Sequence, residues 1–470
     1  MTKTGQDAQS TIATAIPTLI GAILAGLLAF SFFGFTIDDA LIPVRYARHL
    51  ASGDGYRFNI SGAVTDGVTP LPYAFLLAAF AKSSAPVVLL RAKLLGVAAY
   101  IITGAVVGFG TLGLNRATRF SVLATFAVAL PSAIHAASGL ETSLATLLVA
   151  LAAFDKKQGN ESALFGGLAA TFRPELLPAM LVLTLFTRAS IRERLVGLLV
   201  ASSPFAIVLG IRKIVFGHFT PLSLAAKPSD TPHGLTYAAA GLVLSGVLFA
   251  AWPNREALTK SSRYRAAILS FLTHVFVIVF VGGDWMPFAR LFAPILPVMV
   301  LAARELAPFV TSRGRDIRLG IAALSAILMS RAAIEGRHVT EDRQALMNEA
   351  RSTLEGHTVA ALDIGWPSAV TEEAIVDLAG LTDPAIAYLP GGHTSKRVDG
   401  HLLLERAPDF LVLLTDHPAT DDATWWQTSF SRAVEWRLAN DALVRDSFVL
   451  RKKVKLRQWT YLLLERTEAQ

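Results

Sequence analysis

The stretch richest in chemical groups runs Asp38-Asp39-Ala40-Leu41-Ile42-Pro43-Val44-Arg45-Tyr46-Ala47-Arg48-His49. Two adjacent carboxylates at the end of an apolar run are unfavourable neighbours. Like charges in a poorly solvated place raise one pKa, and such a group can take up a proton. Pro43 suits the first turn of a new helix. Arg45, Arg48 and His49 then have i, i+3, i+4 spacing and share one face. Three potential cations beside two acids could hold a phosphate while a carboxylate acts as base. The competing reading is structural: the acids cap a helix at a membrane interface and the arginines meet lipid headgroups.

The elements that must position these groups are apolar. Of 470 residues, 53% are hydrophobic and 17% charged, against ~25% charged in a soluble globular chain. The apolar residues come in runs, the signature of membrane spans. The net charge of +7 does not point to nucleic acid, because the basic residues sit in short clusters between the runs, where the positive-inside rule expects them. The chain has no cysteine, which excludes disulfides, thiolate metal sites and cysteine nucleophiles. The first run, 11–35, has only Lys3 ahead of it and lacks a clear cleavage pattern. It is read as a retained helix rather than a signal peptide.

Runs of about 15–22 residues place membrane segments near 12–35, 71–91, 94–114, 120–137, 140–154, 162–187, 192–215, 235–252, 266–282, 291–309 and 317–332. That gives about 10–11 segments. The run 162–187 is interrupted by Arg173-Pro174-Glu175 and reads as two short helices meeting at a polar point. The run 71–91 is interrupted by Lys82, Ser83 and Ser84 and fits a re-entrant pair as well as one crossing. Basic clusters at 115–119, 155–158, 187–194, 254–265 and 312–318 are assigned to the cytoplasm. The loops 36–70, 137–141, 216–234 and 282–289 then fall outside, with the tail. Residues 1–332 are thus expected to form a transmembrane domain. Residues 333–470 are expected to form a small extracytoplasmic α/β domain, with 358–363, 410–415 and 459–464 as buried strands.

A family resemblance rests on motifs in order along the chain. Ile37-Asp-Asp-Ala, Arg45-Tyr-Ala-Arg, Gly53-Asp-Gly-Tyr-Arg-Phe-Asn59 and Asp66-Gly-Val-Thr-Pro-Leu-Pro72 resemble the first outer loop of GT-C class glycosyltransferases. They are most similar to the group containing the mycobacterial terminal arabinofuranosyltransferases. Ser138-Gly-Leu-Glu-Thr142, Thr171-Phe-Arg-Pro-Glu175, Phe216-Gly-His-Phe-Thr-Pro221 with Ala226-Lys227, and Gly282-Gly-Asp-Trp-Met-Pro-Phe-Ala-Arg290 resemble further loops of that group. In the tail, Asp363-Ile-Gly, Val376-Asp-Leu-Ala-Gly-Leu-Thr-Asp383 and Glu405-Arg-Ala-Pro-Asp409 resemble it too. Pro43, Pro70-Leu-Pro72-Tyr73, and Leu222-Ser223 after Pro221 depart from the group's pattern. These departures bear on the sugar and the acceptor more than on the reaction class.

The resemblance implies a GT-C fold and transfer of a sugar, arabinofuranose as first candidate, from a polyprenyl-phosphate donor. The acceptor would be a cell-envelope glycan or a surface protein. The enzyme would be a multi-pass protein of the bacterial inner membrane, in contact with membrane lipid, with its site facing outside the cytoplasm. It implies that Asp38 or Asp39 is the catalytic carboxylate. Arg45 and Arg48 are candidates for the donor phosphate or for local structure. Lys227 and Arg290 would bind the lipid phosphate, or else snorkel to the interface. Glu141 would be a second acid or a favourable charge at a helix start. Arg173, an intramembrane charge, would meet substrate or pair with Glu175. Asp284 would bind sugar hydroxyls or a cation, and Trp285 would stack on a sugar or anchor the interface. Asp363 and Asp383 read as caps and turns. No metal site is read and no cofactor is required, though a divalent cation is compatible. No dinucleotide fingerprint or P-loop is present. The rival class is a lipid-linked glycan transporter or flippase, whose binding residues would lie at the midplane between inverted repeats. Here no repeat is visible.

Overall fold

A computed structural model describes residues 3–467, with side chains described from Ala15 on. Helices dominate up to Leu354, and one five-stranded sheet follows. The chain forms two units that do not follow chain order. One comprises Met1–Thr36, Ala92–Leu209 and Ser229–Arg337; the other comprises Ile37–Arg91, Gly210–Pro228 and His338–Gln470. The tail therefore shares its unit with the first polar loop and the loop that carries Lys227.

The first unit is helical. Its helix crossings use small residues: a Cβ on Gly21 would collide with the Gly104 carbonyl, and one on Gly108 with the Pro17 carbonyl. Gly104 and Gly108 are four apart, the small-xxx-small spacing that lets two helix backbones touch. Large apolar side chains also point outward. Along the part of Ile191–Phe216 in this unit, Leu195 is 61% exposed, Leu199 72% and Ile207 62%. An apolar face of this size is not left in water without a partner.

Among the described residues, three helices are long and apolar enough to cross a membrane: Ala85–Gly110, Ile191–Phe216 and Ser262–Val281. There are five if the bent pairs Arg116–Val128 with Leu130–Ala136, and Ser312–Ala332 with Glu335–Leu354, each count as one span. Shorter apolar helices among the described residues include Ala15–Ser31, Thr142–Phe154 and Pro174–Thr187. Thr142–Phe154 has 13 residues, or ~20 Å, against the ~30 Å of a hydrocarbon core. Proline sets the breaks: Ala129 leaves helical geometry just before Leu130-Pro131, and Arg173 is extended ahead of Pro174. The run 71–91 is divided in another way. Leu71–Ala78 is a short helix, and the chain re-enters a helix at Ala85 that runs unbroken to Gly110. The polar Lys82-Ser83-Ser84 linker therefore ends one element and starts a longer one that absorbs the run 94–114.

In the second unit the strands are β1 (Val359–Ala361), β2 (Ile375–Asp377), β3 (Phe410–Thr415), β4 (Phe448–Lys455) and β5 (Thr460–Arg466), in the order β2-β1-β3-β5-β4. β1 pairs in parallel with β2 and β3, and these three strands are buried nearly throughout, as parallel strands covered on both faces must be. β5 and β4 run antiparallel. β4 is an edge strand carrying Arg451, Lys452, Lys453 and Lys455, a charge pattern that deters edge-to-edge pairing. At the other edge the Asn59 side chain exchanges two hydrogen bonds of 2.9 Å with the Ile375 backbone and closes β2.

Candidate active site

Asp38 and Asp39 open a short 3-10 turn that leads into the helix Leu41–Ser52, and their surroundings differ. Asp38 is 7% exposed and both carboxylate oxygens are filled. One accepts from Arg343 Nη1 at 2.8 Å and the Trp366 N–H at 3.0 Å; the other accepts from the Gly365 N–H at 2.8 Å. Burial pushes the Asp38 carboxyl up to about 6, with Arg343 pulling it down and the nearby acids Asp363 and Asp39 adding to the rise. Gly365 is required by proximity, since a Cβ there would collide with the Asp38 backbone carbonyl. Asp39 keeps one third of its side chain exposed, and its charged contact is Lys227 Nζ at 3.7 Å.

Lys227 is delivered by a loop anchored at several points. The Leu222 N–H donates to the Asp66 carbonyl at 2.9 Å, and the Ser223 and Thr69 hydroxyls meet at 2.8 Å. Beneath them Arg212 Nε holds the Asp66 carboxylate at 2.7 Å, with both side chains buried.

Arg45 is buried. Its five N–H groups donate to five backbone carbonyls: Phe58 at 2.6 Å, Ser368 at 3.1 Å, Thr371 at 2.8 Å, Glu372 at 3.2 Å and Glu373 at 2.7 Å. A guanidinium has five N–H donors, and in this structure all five go to backbone carbonyls, the contacts of an arginine that holds local structure. Arg48 is only partly committed, to the Ser83 carbonyl and to Glu372 Oε1 at 2.7 Å.

Of the groups around Asp38, Arg343 comes from the helix Val339–Leu354, and Gly365 and Trp366 follow the carboxyl end of the parallel strand β1. β1 runs directly into Leu362-Asp363-Ile364-Gly365-Trp366. Asp363 accepts from Arg432 Nη1 at 2.7 Å and from the Tyr461 hydroxyl at 2.9 Å. Burial works to raise the Asp363 carboxyl, but Arg432, Arg343 and Tyr461 outweigh it and hold it below the usual range. Arg432 also grips the buried Glu435 with two bonds, and Glu435 accepts the Leu414 N–H at the end of β3. Asp383 caps the turn Pro384–Ala387 and pairs with Arg406. Arg343, Arg432, Glu435, Tyr461, Arg212 and the Gly365 and Trp366 N–H groups are all absent from the sequence-based candidates. Asp38 lies 305 residues from Arg343 and 327 from Gly365, and no local pattern links them.

In the helical unit a second polar cluster brings two motifs together. Arg173 Nη1 meets Glu141 Oε1 at 3.2 Å and Arg173 Nε lies 3.0 Å from Glu175 Oε1, with both arginine and Glu141 buried. The His274 ring sits between the Glu175 and Leu291 carbonyls. Gly282 and Gly283, at φ +88° and +71°, turn the chain out of Ser262–Val281. Asp284 then pairs with Arg290 Nε at 2.5 Å. The Tyr237 hydroxyl accepts from the Leu291 N–H, next to Arg290, at 3.0 Å. Trp285 is 63% exposed and stacks on His233 with ring centroids 4.3 Å apart.

Residues 332–461 match the model of a domain described as "Domain of unknown function (DUF8728)". Comparison with curated proteins and with solved structures finds no match. The matched segment contains all of β1, β2, β3 and β4, together with Arg343, Asp363 and Gly365.

Proposed function

We propose that this chain is a GT-C class glycosyltransferase of the bacterial inner membrane, moving a sugar from a polyprenyl-phosphate donor to an acceptor outside the cytoplasm. Arabinofuranose is the first sugar to try, and a cell-envelope glycan or surface protein the acceptor. The observation that carries the site assignment is the contrast between the paired acids. Asp38 has its oxygens filled by three donors, whereas Asp39 is one third exposed with a single long contact to Lys227. Asp39 is therefore the base and Asp38 its anchor. The ordered motifs support the reaction class, and the exposed apolar faces of the long helices support membrane insertion.

In the proposed step the acceptor hydroxyl oxygen attacks the anomeric carbon and the bond from that carbon to the phosphate oxygen breaks. Asp39 takes the hydroxyl proton, and polyprenyl phosphate departs with the bonding pair. Lys227 leaves Asp39 for the phosphate and stabilises the charge that develops there. An exposed ion pair is worth only ~0–1 kcal/mol, so this exchange costs little, and it releases the base as the donor arrives. Arg48 is a second, partly committed cation. Roles for Arg290 at the phosphate, and for Glu141, Arg173, Asp284 and Trp285 at the sugar, rest on the resemblance alone.

The test is transfer of radiolabelled sugar from synthetic polyprenyl-phosphate donors by the full-length chain in lipid vesicles, with arabinofuranose first in the panel. Labelled acceptor product from one donor is the expected result. Donor movement across the bilayer without any product would replace the transferase reading with the flippase one.

A further inference from the structure

The order β2-β1-β3 in a parallel sheet has a consequence for the tail. The chain leaves β1 towards β2 on one side, while β3 lies on the other, so the loops after β1 and β3 diverge. A crevice opens between the carboxyl ends of such strands, and it is where open α/β sheets bind their ligands. In this chain the backbone N–H groups just beyond β1, at Gly365 and Trp366, converge on one carboxylate, and Arg343 joins them. At the same strand ends Arg432 ties Asp363 beyond β1 to Glu435 and through it to the end of β3. The carboxylate is Asp38, from the chain's own first polar loop.

We propose that the crevice at the β1 and β3 ends is an anion site whose resident ligand is the Asp38 side chain, and that Arg343 and Gly365 are positioning residues for the neighbouring Asp39. The proposal rests on the transferase reading for its catalytic consequence, though not for the clamp itself. Two backbone N–H groups and a guanidinium form a fork that fits a planar carboxylate with both oxygens engaged. Gly365 permits the approach because any side chain would strike the Asp38 backbone. Asp39 is the next residue in the same 3-10 turn, so fixing Asp38 at both oxygens fixes where the Asp39 carboxylate starts. The tail is then part of the catalytic centre, not a detachable acceptor-binding module. Its contribution is orientation, and misplacement of a catalytic group by an ångström can cost about a hundredfold in rate.

The experiment uses the full-length chain and the variants Arg343→Gln, Arg343→Lys, Asp38→Asn and the double variant Asp38→Asn/Arg343→Gln. Thermal unfolding is read first, without substrate. Each single change strands the other partner's charge, so the double variant is expected to lose clearly less stability than the sum of the two singles. Kinetics are read second. Arg343→Gln is expected to lower kcat at least tenfold with the donor KM within about threefold, and Arg343→Lys to recover part of that loss. Strict additivity in unfolding overturns the clamp, whether or not any transfer is detected. Coupled unfolding with wild-type kcat in Arg343→Gln, or a fall confined to donor KM, overturns the positioning role. Absence of transfer in the wild type with coupling intact refutes the transferase reading and leaves the clamp standing.

Discussion

Replacing Arg45 with methionine keeps the length of the buried stem and removes five N–H donors at once. The carbonyls of Phe58, Ser368 and Thr371 are then left buried without their partner, while those of Glu372 and Glu373 are only part-buried and can turn to water. A stranded buried acceptor costs roughly 1–3 kcal/mol. Three of them, offset by relief of burying a cation and by local relaxation, put the loss at about 3–5 kcal/mol, the range for breaking a buried charged network. Lysine supplies three donors from one point rather than five from a plane, so Arg45→Lys should lose about half as much. The readout is thermal unfolding followed by tryptophan emission, since Trp366 and Trp425 are both buried in the same unit. A loss below ~1 kcal/mol for Arg45→Met would refute the five-carbonyl account. So would unchanged unfolding combined with a raised donor KM, because that is the signature of a phosphate ligand.

Three further outcomes follow from other parts of the molecule. Gly104→Leu places a side chain where two helix backbones touch, so it should abolish recovery of folded protein from membranes, whereas Gly320→Leu, with nothing near its Cβ, should not. Burial pushes the Asp377 carboxyl up to about 6 from 3.8, against bonds from Thr382, Ala379 and Gly380. A folded pKa above the unfolded one gives stability that is present below about pH 4 and lost as pH rises through about 6, so unfolding of the wild type should show this decline and Asp377→Asn should lessen it, with Asp38 supplying a remaining part. Arg173→Gln leaves Glu141 and Glu175 without their cation and should cost about 3–5 kcal/mol. Adding Glu141→Gln should restore part of that in the same unfolding measurement, and no restoration would mean that the pair is not coupled.

What could be read from the sequence divides along physical lines. β1, β3 and β5 are legible because their buried runs are aliphatic and bounded by polar residues. β2 is only three residues long, and β4 hides its alternation under Arg451, Lys452, Lys453 and Lys455. The break at Arg173-Pro174 is legible because proline cannot continue a helix. Drafting spans by hydropathy alone gives too regular a picture, since apolar composition does not distinguish one long helix from two short ones joined at Leu130-Pro131. The paired acids stand out locally, but what separates Asp38 from Asp39 is tertiary. The donors that fill Asp38 come from residues more than 300 positions away. Arg45 illustrates the same limit. Its spacing from Arg48 and His49 suggests a cationic face, yet four of its five partners are carbonyls of a distant turn, and a carbonyl carries no residue identity for sequence reading to find.

The measurement that bears most directly on the central claim is single-turnover transfer from polyprenyl-phosphate arabinofuranose by the wild type, Asp39→Asn and Asp38→Asn, with donor binding measured in parallel. The account predicts product with the wild type, and binding without turnover in Asp39→Asn. It also predicts slowed but detectable turnover in Asp38→Asn, whose side chain can still accept from the Gly365 or Trp366 N–H. Turnover by Asp39→Asn at the wild-type rate, or loss confined to Asp38→Asn, would contradict it.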